Sequence, residues 1–126
     1  MLRPVVVVGD ANVDIVVHYP HFLDADRKRV SWKTPEVFGG GTSSNTAAAL
    51  GKLGQKCEFV GTVGDDANGR FVVQDLFDSG VLVDGLIVEP GANTVGVFAF
   101  IDERGERYLW GWPRNNQAFK LLDPSK

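Results

Sequence analysis

The chain has 126 residues, 44% of them hydrophobic and 23% charged, and its 13 basic against 16 acidic side chains leave a net charge of −3. An apolar fraction this high with so little net charge excludes a disordered segment, and this length buries a core without disulfides or metal. The acidic balance excludes a protein that grips nucleic acid or an anionic membrane through bulk charge, and the single cysteine, Cys57, points to a reducing cytoplasm.

Met1-Leu2-Arg3-Pro4 precedes an apolar run too short for an export signal, and nowhere do eighteen apolar residues run together, so no membrane segment is expected. Val5-Val6-Val7-Val8, closed by Gly9-Asp10, predicts a strand buried on both faces at the centre of a parallel sheet. In Gly9-Asp10-Ala11-Asn12-Val13-Asp14, Asn12 and Asp14 lie two apart and point the same way if extended. That strand end is where open α/β sheets place ligands, and a carboxylate there can accept from two neighbouring sugar hydroxyls; the plainer reading is a polar strand-end turn.

Residues 13–19 and 30–38 read as an antiparallel pair around Pro20 and the polar 24–29 turn. Phe38-Gly39-Gly40-Gly41 then runs into Thr42-Ser43-Ser44-Asn45, residues of N-cap type ahead of a helix over 46–53 that Gly54 stops. Glycines let backbone N–H groups approach a ligand, and Thr42, Ser43 and Asn45 add side-chain hydrogen bonds, which suits a polyhydroxylated ligand. The Gly-Lys-Ser/Thr ending of a Walker loop is missing, and a tight turn with an N-cap explains the same residues.

Glu58-Phe59-Val60 predicts a short strand, and Asp65-Asp66 cap a helix over 67–79 whose Val72, Val73, Leu76 and Phe77 form one buried face. Leu86-Ile87-Val88 is the next strand, followed by the Pro90-Gly91 turn and a hairpin of 95–101 with 107–112. The order β-α-β-α-β implies a doubly wound parallel sheet, and the two extended pairs, which do not fit inside it, imply a small accessory sheet. His18 and His21 lack the partners for a zinc site, Arg27-Lys28-Arg29 reads as a solvated turn, and Trp32, Trp110 and Trp112 as packing in or near the extended pairs. Cys57 reads as a buried small hydrophobe.

Gly40-Gly41-Thr42-Ser43-Ser44-Asn45-Thr46-Ala47-Ala48-Ala49-Leu50-Gly51-Lys52-Leu53-Gly54 resembles the N-terminal signature of the ribokinase-like, PfkB-type carbohydrate kinases. Val8-Gly9-Asp10-Ala11-Asn12-Val13-Asp14, the block from Gly61 to Gly69, Ser79-Gly80-Val81 and the Asp102–Arg107 turn resemble the same family in the same order. The resemblance covers nearly all of residues 1–126. It implies a Rossmann-like α/β sheet with a β-sheet lid made of 13–19, 30–38, 95–101 and 107–112. It also implies transfer of a phosphoryl group from ATP, with Mg2+, to a hydroxyl of a small sugar.

By position, Asp14 would hold sugar hydroxyls with Asn12, Gly40 and Gly41 would bring backbone donors, Asn45 would anchor the sugar from the helix start, and Thr42 would sit beside them. Phe98 and Phe100 share a face of a lid strand and would cover the sugar's C–H face, or else belong to the lid core or a lid–lid dimer contact. The family's Gly-Ala-Gly-Asp anion hole and catalytic aspartate, and its Asn-X-X-Glu motif for magnesium and phosphate, do not occur in this sequence. The expectation is therefore a sugar-binding and lid half, with no catalytic base and no metal ligand, inactive alone and able to dimerise through its lid. A non-catalytic sugar-binding or dimerisation module is the alternative. Were the substrate phosphorylated, Arg27-Lys28-Arg29, Arg107 or Arg114 would be placed to meet its phosphate.

Overall fold

The computed structural model describes residues 3–19 and 33–113. Two sheets share one core. The first is parallel, in the order β1-β4-β5, from β1 (Val5–Val8), β4 (Cys57–Gly64) and β5 (Leu86–Glu89). Helices α1 (Thr42–Lys52) and α2 (Ala67–Asp78) make the crossovers, so the β-α-β-α-β reading holds.

The second sheet runs β3-β2-β6-β7, from β2 (Asn12–His18), β3 (Glu36–Gly40), β6 (Gly96–Ile101) and β7 (Arg107–Trp112). Both expected antiparallel pairs form, β2 with β3 and β6 with β7. A parallel β2–β6 pairing, which local pattern does not reveal, joins them into one sheet. Of the stretch expected as extended over 30–38, residues 30–32 lie outside the described residues, as do Trp32, His21, the 27–29 basic run and Arg114. At the β6–β7 turn the Asp102 carboxylate accepts from the Arg104 and Glu106 N–H groups, and Gly105 supplies φ +81°.

The core lies between the sheets and helices. Val13, Phe59, Val63, Val72 and Leu76 are at most 1% exposed, and burial of each such side chain stabilises the fold by about 1.5–3 kcal/mol. Ile15 and Trp112 pack against this core from the second sheet. Cys57 is free and buried within it.

Among the described residues, β1, expected at the centre of its sheet, pairs on one side only, with β4, and Val6 and Val8 are both 56% exposed. Three expectations are corrected. Helix α1 begins at Thr42 rather than 46, and its N-cap is Gly41, with no side-chain cap; the Asp10 carbonyl accepts from the Ser44 N–H instead. Of the two aspartates before α2, Asp66 is the cap, whereas Asp65 is exposed and faces Arg70 at 3.9 Å. Phe77 is 62% exposed, because the buried stripe of α2 narrows to Val72 and Leu76.

Both helices end as their glycines predict. Gly54 and Gly80 take φ +84° and +88°, and the N–H groups of Gln55 and Val81 reach back to the Leu50 and Leu76 carbonyls.

Candidate functional site

β1 ends at Gly9-Asp10, and the chain enters the second sheet directly at Asn12. This brings the start of β2, the end of β3 and the first turn of α1 to one point. The register pairs Asn12 with Gly40 and Asp14 with Phe38 across β2–β3, and Asp14 with Val97 and Val16 with Ala99 across β2–β6. Paired residues project to the same side of a sheet. One face therefore carries Asn12, Asp14, Phe38, Gly40, Val97 and Ala99.

Gly40 is buried beneath the Asp14 carboxylate: a Cβ there would stand 2.5 Å from Oδ2 and 2.6 Å from Oδ1. Gly41 adopts φ +94°, and a Cβ on it would stand 2.7 Å from the Asp10 carbonyl oxygen. Both glycines are thus required by close approach, and Gly41 also by conformation. The Ser44 N–H donates to the Asp10 carbonyl at 3.3 Å and the Asn45 N–H to Gly41 at 2.8 Å. Among the described residues, the Thr42 and Ser43 N–H groups take no partner, so the helix start offers two donors. Thr42 and Asn45 are exposed and three apart on α1, hence on one open side of its first turn.

Burial sets two polar groups here apart. The Asn12 amide oxygen is buried without a hydrogen-bond partner. Burial pushes the Asp14 carboxyl above the ordinary 3.8 of an aspartate. A buried acceptor and a partly desolvated carboxylate thus share one face, next to two N–H donors, and all three are groups that hydroxyls can satisfy.

The structure brings together Asn12, Asp14, Gly40 and Gly41, with Thr42 and Asn45 at the adjoining helix start. It does not bring Phe98 and Phe100 to this face. Their partners in register are Ile15 and Val17, so both rings lie on the opposite side from Asp14. There Phe98 stacks on Phe100 and Trp110 and meets Trp112 at 5.2 Å, which matches the lid-core alternative. The correction is one of register, since period two shows which residues share a face but not which face is inward.

Sequence reasoning missed Val97 and Ala99, the residues of β6 that do share Asp14's face, and Phe38, 48% exposed beside it. It also missed Glu36, which accepts from Lys33 at 2.9 Å and lies 3.3 Å from His18 Nε2. These hydrogen bonds from Lys33 and His18 hold the Glu36 carboxyl below its ordinary value. Counting in twos from Asp14 would have placed His18 on the site face. Among the described residues no three His, Cys, Asp or Glu side chains gather into a metal site, so none is assigned to magnesium.

A family model described as pfkB family carbohydrate kinase matches residues 3–124. The ATP-dependent ribose-1-phosphate kinase of Halopiger xanaduensis is 31% identical over 110 residues, 87% of this chain and 37% of that protein. The pseudouridine kinase of Escherichia coli is 34% identical over 106 residues, 81% of this chain and 32% of its own length. The structure of Arabidopsis thaliana ribokinase complexed with ribose and ATP superposes with a TM-score of 0.82 at 30% identity, covering 92% of this chain and 38% of that one. For Thermotoga maritima ribokinase the TM-score is 0.80 at 28% identity, over 98% and 41%. The chain thus spans about a third of the length of the curated relatives it matches.

Proposed function

Because this chain belongs to the pfkB family of carbohydrate kinases, we propose that it is the sugar-binding and lid part of a cytoplasmic, ATP-dependent sugar kinase. The observation that carries the reading is the buried, unpartnered Asn12 amide oxygen on the face of Asp14 and Gly40. Asp14 accepts from two neighbouring sugar hydroxyls, Asn12 accepts from a third, and the Thr42 and Ser43 N–H groups donate from the helix start. Val97 and Ala99, in place of Phe98 and Phe100, cover the apolar face of the ring and exclude water. Thr42 and Asn45 close the open side.

A phosphoryl donor supplies the transferred group when bound, and transfer further requires a metal and a base or orienting group for the attacking hydroxyl. We assign none of these to the described residues, so the chain's own share of the chemistry is to bind and orient the acceptor. On this reading the isolated chain does not phosphorylate sugar.

A second reading, a non-catalytic sugar-binding or dimerisation module, is favoured by the aromatic face of the second sheet. Trp110 is 65% exposed and Tyr108 40%, a platform suited to a second copy of the same sheet.

Titration calorimetry with D-ribose, D-fructose, ribose 1-phosphate and pseudouridine tests the site. Heat with at least one of them, lost in Asp14→Ala, is the expected result; an Asp14→Ala variant that binds as the parent does overturns the assignment. Phosphorylation of the same panel with ATP and magnesium by the isolated chain, well above background, would overturn its inactivity.

A further inference from the structure

The loop between β5 and β6 contains Thr94, 1% exposed, with every backbone and hydroxyl group engaged. Its hydroxyl donates to Asp66 Oδ1 at 2.6 Å and accepts from the Gly64 N–H at 3.0 Å. Its N–H donates to Asp66 Oδ2 at 2.8 Å, and its carbonyl accepts from the Trp112 indole Nε1–H at 2.8 Å. Asp66 at the same time caps α2 by accepting from the Gly69 N–H at 2.7 Å.

These bonds join the two sheets. Gly64 ends β4 of the parallel sheet, Asp66 starts α2, Trp112 closes β7, and Thr94 stands two residues before β6. The next residue, Val95, accepts from the Val13 N–H at 3.0 Å, one residue from Asp14. The glycines give the room: Cβ atoms on Gly69 and Gly64 would stand 2.9 Å from Thr94 Oγ1 and 2.5 Å from the Asn93 carbonyl carbon, and the Trp112 indole lies directly over Gly96.

We propose that Thr94 and Asp66 are positioning residues that fix the second sheet, and with it Asp14 and Val97, at one setting against the parallel sheet and α2. A helix cap alone needs one acceptor for Gly69, yet both Asp66 oxygens are spent on Thr94, which binds the far sheet through its own carbonyl. A charged carboxylate with three N–H or O–H donors is a strong, directional joint in a buried place. The link to ligand binding rests on the sugar-site reading; the mechanical claim does not.

Amide hydrogen exchange on the whole chain tests it, each variant being corrected for its own global stability from urea unfolding. Thr94→Val removes the hydroxyl and leaves the Asp66–Gly69 cap in place. Peptides covering β2, β6 and β7 should exchange about tenfold faster, while those of α2 and of β4 short of Gly64, whose own N–H loses its acceptor, change less than about twofold, and Thr94→Ser should restore the parent rates. Equal acceleration in both sheets, or none, overturns the proposal. Trp112→Phe leaves the Asp66–Thr94 bonds intact and covers the case in which Thr94→Val does not fold. It should accelerate β6 and β7 alone, and parent-like exchange there also overturns the proposal. Failure of the sugar reading shows separately, as D-ribose heat that Asp14→Ala does not change.

Discussion

The Asp14 carboxylate occupies the space where a side chain on Gly40 would begin, with both oxygens within 2.6 Å of the missing Cβ. A side chain therefore cannot be added at Gly40 without moving Asp14. Gly40→Ala should destabilise by about 1–3 kcal/mol through overpacking. In an Asp14→Ala background the same change should cost under about 0.5 kcal/mol, a coupling that a double-mutant cycle in urea resolves.

The two shifted aspartates act in opposite directions with pH. Burial pushes Asp66 up, but donation from the Thr94 hydroxyl and from the Thr94 and Gly69 N–H groups outweighs it, and its carboxyl sits below 3.8. Its stabilisation is present above that ordinary value and is lost as pH falls through the lower folded value. Asp14 is raised by burial, so its ionised form opposes folding above the raised value, and the cost fades as pH falls toward 3.8. Asp14→Asn should therefore be more stable than the parent at pH 7 and lose that advantage at about pH 3. Urea midpoints across this range give the answer, and a less stable Asp14→Asn at pH 7 refutes it.

Two neighbours on α2 should behave very differently. Leu76, 1% exposed in the core, should cost about 2–5 kcal/mol as Leu76→Ala. Phe77, the next residue, is 62% exposed, and Phe77→Ala should stay within about 0.5 kcal/mol of the parent. Thermal unfolding of the two variants side by side separates them.

Self-association through the second sheet has a simple test. If Trp110 and Tyr108 form the contact, the parent should sediment as a heavier species at high concentration and Trp110→Lys as a monomer. A parent that stays monomeric removes this contact.

Much of this was legible in the sequence, for reasons that differ by element. The glycine-to-helix junction at Gly41 and the stops at Gly54 and Gly80 can be read because positive φ selects glycine. The alternation of strand and helix is legible because hydrophobic period changes with element type. Which side of β6 faces Asp14 was not, since Phe98 and Val97 trade places with a one-residue change of register. Thr94 gave no signal either: a threonine in a loop looks the same whether it is solvated or bonded to Asp66, Gly64 and Trp112. How many strands flank β1 depends on neighbours that no residue within it encodes, and among the described residues there is one, β4.

That single pairing has a practical side. Val5 to Val8 offers four β-branched residues with no charge among them, Val6 and Val8 are open to solvent, and among the described residues only β4 pairs with the strand. Such an edge is a template for recruiting further strands, whatever the net charge of the molecule. The shelf life of the purified chain should thus be limited by slow fibrillar growth from its first strand, and a lysine at Val6 should prolong it.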